Sequence, residues 1–208
     1  MRLFLASYRF GAHRDRLLAM VGTPGQVAVI ANAADAWPAA ARSSALTSDL
    51  APLRRLGFQP FEVDLREYVG RASTLRRVLG GVGLVWVRGG NTFVLRAQCA
   101  RSGADSVLPE MLRADTFVYA GYSAGACLLT PSLRGLEAAD DPAEVVTTCG
   151  VQPIWDGLGL VDRAIVPHCG SDPAADAIVA RYRRDGVPHW ALTDEQVVVV
   201  EGSRVEIG

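Results

Sequence analysis

Short apolar runs recur along the chain at residues 3–7, 27–32, 59–64, 84–87, 116–120, 163–166 and 190–192. Each is followed or preceded by a stretch with helical spacing. Residues 13–21 place Leu17, Leu18 and Val21 on one side, and residues 44–56 do the same with Leu46, Leu50, Leu53 and Leu56 before Gly57 ends the helix. Further helices are predicted over 74–79, 92–101, 104–113, 124–129 and 172–184, the last with Ile178, Val179 and Tyr182 facing inward. Residues 197–200 and 204–207 flank Glu201-Gly202-Ser203 and read as a closing hairpin. The strands are apolar without polar alternation. That pattern predicts an α/β fold, a mostly parallel sheet flanked by helices on both faces. Residues 132–159 are irregular and acidic, carry Asp140-Asp141-Pro142, and read as a loop or lid. With no internal repeat and no linker, the reading is one domain over residues 1–208.

Composition narrows the class. The chain has 208 residues and a net charge of −1, so no basic excess exists to gather nucleic-acid phosphates. Its apolar runs are strand length, which predicts no membrane partner. The N-terminal run is followed by arginines and a helix, and reads as a strand and not a signal peptide. None of the cysteines, Cys99, Cys127, Cys149 and Cys169, stand in C-x-x-C spacing. The expectation is a cytoplasmic protein with reduced thiols.

In parallel sheets, ligands bind beyond the carboxyl ends of the strands. Two such ends carry chemistry. The run 118–120 leads into Gly121-Tyr122-Ser123-Ala124-Gly125, which has the layout of a nucleophile elbow. Gly121 and Gly125 flank the serine where a side chain would collide with a neighbouring strand or helix. The sharp turn presents Oγ, and the following helix aims N–H groups at the same spot. The alternative is a structural turn with Ser123 as an N-cap. Val87 leads into Arg88-Gly89-Gly90-Asn91, which lacks the spacing of a dinucleotide or phosphate loop. A glycine N–H there and the Ala124 N–H would form an oxyanion pair.

A serine nucleophile needs a base and the base an orienter. Of His13, His168 and His189, only His168 follows an apolar strand directly, after Pro167. Asp194-Glu195, in the turn after 190–192, supply an acid, unless they are solvated turn residues.

These segments, in this order, resemble the peptidase E family of serine dipeptidases, related to cyanophycinase. Gly89-Gly90-Asn91-Thr92-Phe93-Val94-Leu95 resembles the family's glycine turn, and Gly121-Tyr122-Ser123-Ala124-Gly125-Ala126 its elbow. Ile165-Val166-Pro167-His168 and Leu192-Thr193-Asp194-Glu195 resemble its histidine and acid segments. The resemblance implies a class I glutamine amidotransferase-like sandwich. It makes Ser123 the nucleophile, His168 the base, Gly90 and Ala124 the oxyanion donors, and Asp194 (or Glu195) the third member. Arg88, Asn91 and Thr92 become candidate substrate contacts. It implies hydrolysis of a short peptide by a monomer or homodimer without metal or cofactor. Two features depart from the family. Arg88 stands where the family has glycine, and the segment after His168 lacks the arginine that selects an N-terminal aspartate. Arg88 is then either a carboxylate anchor or the partner of a surface acid. A cyanophycinase-like or esterase hydrolase and a non-catalytic α/β binding protein are the alternative readings.

Overall fold

A computed structural model describes all residues, 1–208. Strands β1 (Arg2–Ala6), β2 (Gln26–Ile30), β3 (Gln59–Glu62), β4 (Leu84–Val87) and β5 (Val118–Tyr122) form the parallel part of a seven-stranded sheet. β8 (Val197–Glu201) pairs antiparallel with β1, and β9 (Arg204–Ile207) with β8. The order is β3-β2-β4-β5-β1-β8-β9. The predicted mostly parallel α/β sheet is therefore present, with the predicted hairpin as its antiparallel edge.

The central strands β1, β2, β4 and β5 bury both faces, whereas the edge strand β9 is mostly exposed. Leu3 and Leu5 of β1 enter one core while Phe4 and Ala6 enter the other. Helices α1 (Arg14–Val21) and α2 (Ala39–Arg55) cover the second face through Leu17, Met20 and Leu53. Helices α3 (Ala72–Leu79), α4 (Thr92–Ser102), α5 (Ala104–Arg113) and α6 (Ala124–Cys127) pack on the first. Fully burying an aliphatic or aromatic side chain contributes about 1.5–3 kcal/mol, so these two layers supply most of the drive to fold.

Several boundaries differ from the sequence reading. α2 begins five residues earlier than expected, at Ala39 after Pro38, because the alanines and Arg42 extend it without adding to its apolar stripe. β5 runs through Gly121 and Tyr122, held by pairing of Ala6 with Tyr122. α6 is a single turn. The carbonyls of Leu128, Leu129 and Thr130 turn outward to accept N–H groups of Leu158, Leu160 and Gly159, which ends the helix. The 132–159 segment is not wholly irregular, since it contains α7 (Glu144–Cys149).

The remaining strands leave the main sheet. β6 (Ala164–Val166) and β7 (His189–Ala191) form their own parallel pair, joined by α8 (Pro173–Arg184). Val166 lies opposite Ala191, so the residues after both strands emerge together. No helix is long and apolar enough to cross a membrane.

Candidate active site

The strand register brings the reactive turns to one edge. Ala6 pairs with Tyr122 and Val87 with Gly121. Ser7, Gly89-Gly90 and Ser123 therefore emerge side by side. Ser123 has φ 51° and ψ −117°, a strained geometry for a residue with a side chain. Its surroundings fix it there. Its N–H donates to the Ala6 carbonyl at 3.1 Å, and its own carbonyl accepts the N–H groups of Ala126 and Cys127, each at 2.9 Å.

The flanking glycines are demanded by close approach. A Cβ on Gly121 would sit 2.6 Å from the Gly125 carbonyl carbon, and one on Gly125 would sit 2.9 Å from that of Val87. The buried Tyr119 hydroxyl donates to the Gly125 carbonyl at 2.7 Å and ties the turn to β5.

His168 follows β6 with φ 63°. Its Nε2 lies 3.0 Å from Ser123 Oγ and its Nδ1 2.6 Å from Asp194 Oδ1. A carboxylate at Nδ1 holds the proton on that nitrogen and leaves Nε2 as the acceptor for the serine O–H. Asp194, not Glu195, occupies this place. Glu195 is exposed and its carboxylate bonds to nothing, while its backbone carbonyl accepts the Ala12 N–H. Asp194 Oδ2 accepts the Ser171 hydroxyl at 2.8 Å. Partial burial pushes the Asp194 carboxyl up, but hydrogen bonds from His168, Ser171 and Ser7 and the charge of His168 outweigh it and hold the group below its ordinary range.

Ser7 was not singled out from the sequence. It is fully buried, its Oγ accepts the His168 N–H at 2.7 Å, and it donates to Asp194 Oδ1 at 3.3 Å. Its only signal was a polar residue ending an apolar strand.

The N–H groups of Gly90 and Ala124 have no acceptor in the protein, and both residues line a cavity of ≈ 210 Å³ beside Ser123 and His168. Gly90 has φ 142°, and a Cβ there would lie 2.7 Å from the Ala33 carbonyl carbon. Because α6 has only one turn, any stabilisation of a developing oxyanion comes from these individual N–H groups and not from a long helix dipole.

Asn91 has no free side-chain group to offer a substrate. Its Oδ1 caps α4 through the N–H groups of Phe93 and Val94, and its Nδ2 donates to the Asp141 carbonyl and to Glu144 Oε2, each at 2.8 Å. Thr92 directs its N–H and O–H to Asp140 Oδ2 at 2.9 and 2.6 Å. These bonds pin the 140–144 segment, so the acidic stretch is a fixed wall of the cavity. Asp140 lines it, as does Asp172. Burial pushes the Asp140 carboxyl up against the pull of the Thr92 hydrogen bonds; neighbouring Glu144 adds to the rise, and the net shift is upward.

Arg88 is buried, and its partner is a buried acid, not a surface one. Its Nε donates to Asp49 Oδ2 at 2.9 Å, and Asp49 also accepts the Tyr122 hydroxyl at 3.1 Å. The sequence carries no signal for Asp49; the structure places it between Ala45 and Leu53 on the buried side of α2. No group of three or more His, Cys, Asp or Glu side chains is arranged to hold a metal ion, and all four cysteines are unpaired.

Comparison with known proteins gives the same picture of kinship. The family model described as Peptidase family S51 matches residues 28–208. The chain is 31% identical over 156 residues to the uncharacterized peptidase Lin0382 of Listeria innocua, covering 71% of this chain and 68% of that protein. It is 28% identical over 157 residues to the uncharacterized peptidase Lmo0363 of Listeria monocytogenes, covering 74% and 72%. The crystal structure of a candidate peptidase E protein from Listeria monocytogenes EGD-e superposes with a TM-score of 0.81 at 23% identity, covering 100% of this chain and 97% of that one. A peptidase from an acI-B1 actinobacterium superposes with a TM-score of 0.71 at 15% identity, covering 100% and 86%. The sheet, the elbow and these likenesses agree: the chain belongs to peptidase family S51.

Proposed function

We propose that this protein is a serine exopeptidase that hydrolyses dipeptides and other short peptides through an acyl-enzyme on Ser123. The observation that carries the reading is the continuous hydrogen-bonded line from Ser123 Oγ through both nitrogens of His168 to Asp194, at 3.0 and 2.6 Å. Ser123 Oγ attacks the scissile carbonyl carbon and its proton passes to His168 Nε2. The carbonyl oxygen becomes the oxyanion, held by the Gly90 and Ala124 N–H groups. Collapse of the tetrahedral intermediate breaks the C–N bond, and His168 gives its proton to the leaving amine. Water, deprotonated by His168, then releases the acyl group and restores Ser123. Each oxyanion donor contributes about 3 kcal/mol to such a transition state.

The wall that Thr92 pins at Asp140 favours short substrates. Leu136, Ala139 and Asp140 close the cavity next to Ser123, leaving little length for an extended chain. The same cavity has Asp140 and Asp172 and no lysine or arginine. That charge suits a free α-ammonium and disfavours an aspartate side chain on the acyl side. Hydrolysis of a dipeptide panel, with longer peptides and simple esters beside it, tests the reading. The expected result is cleavage of dipeptides that Ser123→Ala loses. Unchanged turnover in Ser123→Ala, or cleavage of esters alone, contradicts it.

A further inference from the structure

Beside the acidic cavity lies a second one, of ≈ 180 Å³, and the two share Gly90, Ser123 and His168. Their chemistry is opposite. The second is walled by Arg88, Arg9, Trp37, Tyr8 and Tyr122, and no carboxylate lines it. Arg9 donates to the Ser48 carbonyl at 2.9 Å and to the Ser48 hydroxyl at 3.2 Å, which leaves its charge uncompensated by an acid. Arg88 has one carboxylate partner, Asp49, at Nε alone. Two guanidinium groups thus face one buried carboxylate, and the cavity carries a net positive charge.

The Arg88 guanidinium is both held and unfinished. Asp49 fixes Nε, and the Trp37 ring lies 5.1 Å from Cζ as a cation–π cover. The side chain is 8% exposed, yet Nη1 is cut off from water with no hydrogen-bond partner. A buried donor left unpaired is costly, and an arginine fixed at Nε still offers the other end of its fork. A carboxylate is the planar acceptor that fits it. Trp37 is 40% exposed and belongs to neither hydrophobic core, so the lid over Nη1 is one side chain at the surface and not the packed interior.

We propose that this cavity binds the α-carboxylate of the amino acid released on hydrolysis, with Arg88 as its anchor. The inference rests on the peptidase reading above and deepens it. A free dipeptide carries an ammonium at one end and a carboxylate a few bonds beyond the scissile amide. With the ammonium toward Asp140 and the carboxylate toward Arg88, its scissile carbonyl falls at Ser123, where the two cavities meet. His168 lines both and stands ready to protonate the leaving nitrogen. The two charges set the direction of binding and select peptides with a free carboxyl end.

The test compares Ala-Phe with its C-terminal amide. Wild-type kcat/KM is expected to fall by about 10- to 100-fold on amidation, the loss of one charge-assisted bidentate pair. Arg88→Gln combined with Asp49→Asn removes both charges without stranding a buried acid. That variant is expected to cleave the free acid more slowly, mainly through KM, and to lose the acid-over-amide preference. Arg88→Lys should restore part of it. Equal wild-type kcat/KM for acid and amide overturns the proposal. So does an Arg88-dependent preference for Asp-Phe amide over Asn-Phe amide, which would mean that Arg88 reads an acyl-side carboxylate instead. Calorimetric binding of Ala-Phe and its amide to Ser123→Ala reads the subsite without turnover. Tighter binding of the acid there supports the subsite even if wild type cleaves neither peptide, and equal binding overturns it.

Discussion

The Ser7 hydroxyl, at the end of β1, accepts the backbone N–H of His168 at 2.7 Å and lies 3.3 Å from Asp194 Oδ1. One buried side chain thus fixes both the left-handed backbone of His168 and the carboxylate that orients its ring. The main sheet and the separate β6-β7 pair are joined at the reactive centre by this contact. Ser7→Ala leaves the His168 N–H without its acceptor. The expected cost is about 1–3 kcal/mol of stability, read by urea unfolding, together with about a 10-fold loss of kcat, since misplacing a catalytic group by a fraction of an ångström is felt strongly.

The two neighbouring acids separate cleanly. Asp194→Asn places an amide against Nδ1 and favours the wrong imidazole tautomer, so kcat should fall by about 10³- to 10⁴-fold. Glu195→Gln changes an exposed side chain with no hydrogen bond, and its kcat should stay within about 2-fold of wild type. Steady-state kinetics on one dipeptide decides between them.

The elbow tolerates no added methyl. Gly125→Ala would press a Cβ against the Val87 carbonyl, which belongs to a central strand and cannot retreat. The expected destabilisation is about 3 kcal/mol, read from the denaturation midpoint. Gly150→Ala, whose Cβ would meet nothing but whose φ is 69°, provides a comparison that reports backbone strain alone.

A second charged cluster predicts how stability depends on pH. Burial pushes the Asp64 carboxyl up, but hydrogen bonds from Arg66 and Asn32 outweigh it and bring it down to about 2. Because the folded value lies below the unfolded one, the stabilisation is complete above the ordinary carboxylate range. It is lost as pH falls toward about 2. Asp64→Asn should therefore cost about 1–3 kcal/mol near neutral pH, and the difference from wild type should shrink in acid. Unfolding curves at several pH values check this.

What the sequence revealed followed from chemistry that is local in the chain. The apolar runs, the glycines around Ser123 and the histidine after Pro167 each sit within a few residues of one another, and their meaning survives without knowledge of tertiary contacts. Ser7, Asp49 and Asp140 gave little sign because their roles depend on partners far away in sequence: His168, Arg88 and Thr92. The same limit explains β6 and β7. An apolar run announces a strand but not the sheet it joins, and here the strands carrying His168 and Asp194 pair only with each other. The choice between Asp194 and Glu195 turned on which way a loop residue points, which the residue order leaves open.

Covalent labelling reads the nucleophilicity of Ser123 without any choice of substrate. Folded protein is treated with a serine-reactive phosphonate and the modified peptide identified by mass spectrometry. One adduct is expected, on Ser123, formed much more slowly in His168→Ala and absent in Ser123→Ala. An unlabelled wild-type protein, or labelling of Ser123 at the same rate without His168, would contradict the assignment of Ser123 as nucleophile and His168 as its base.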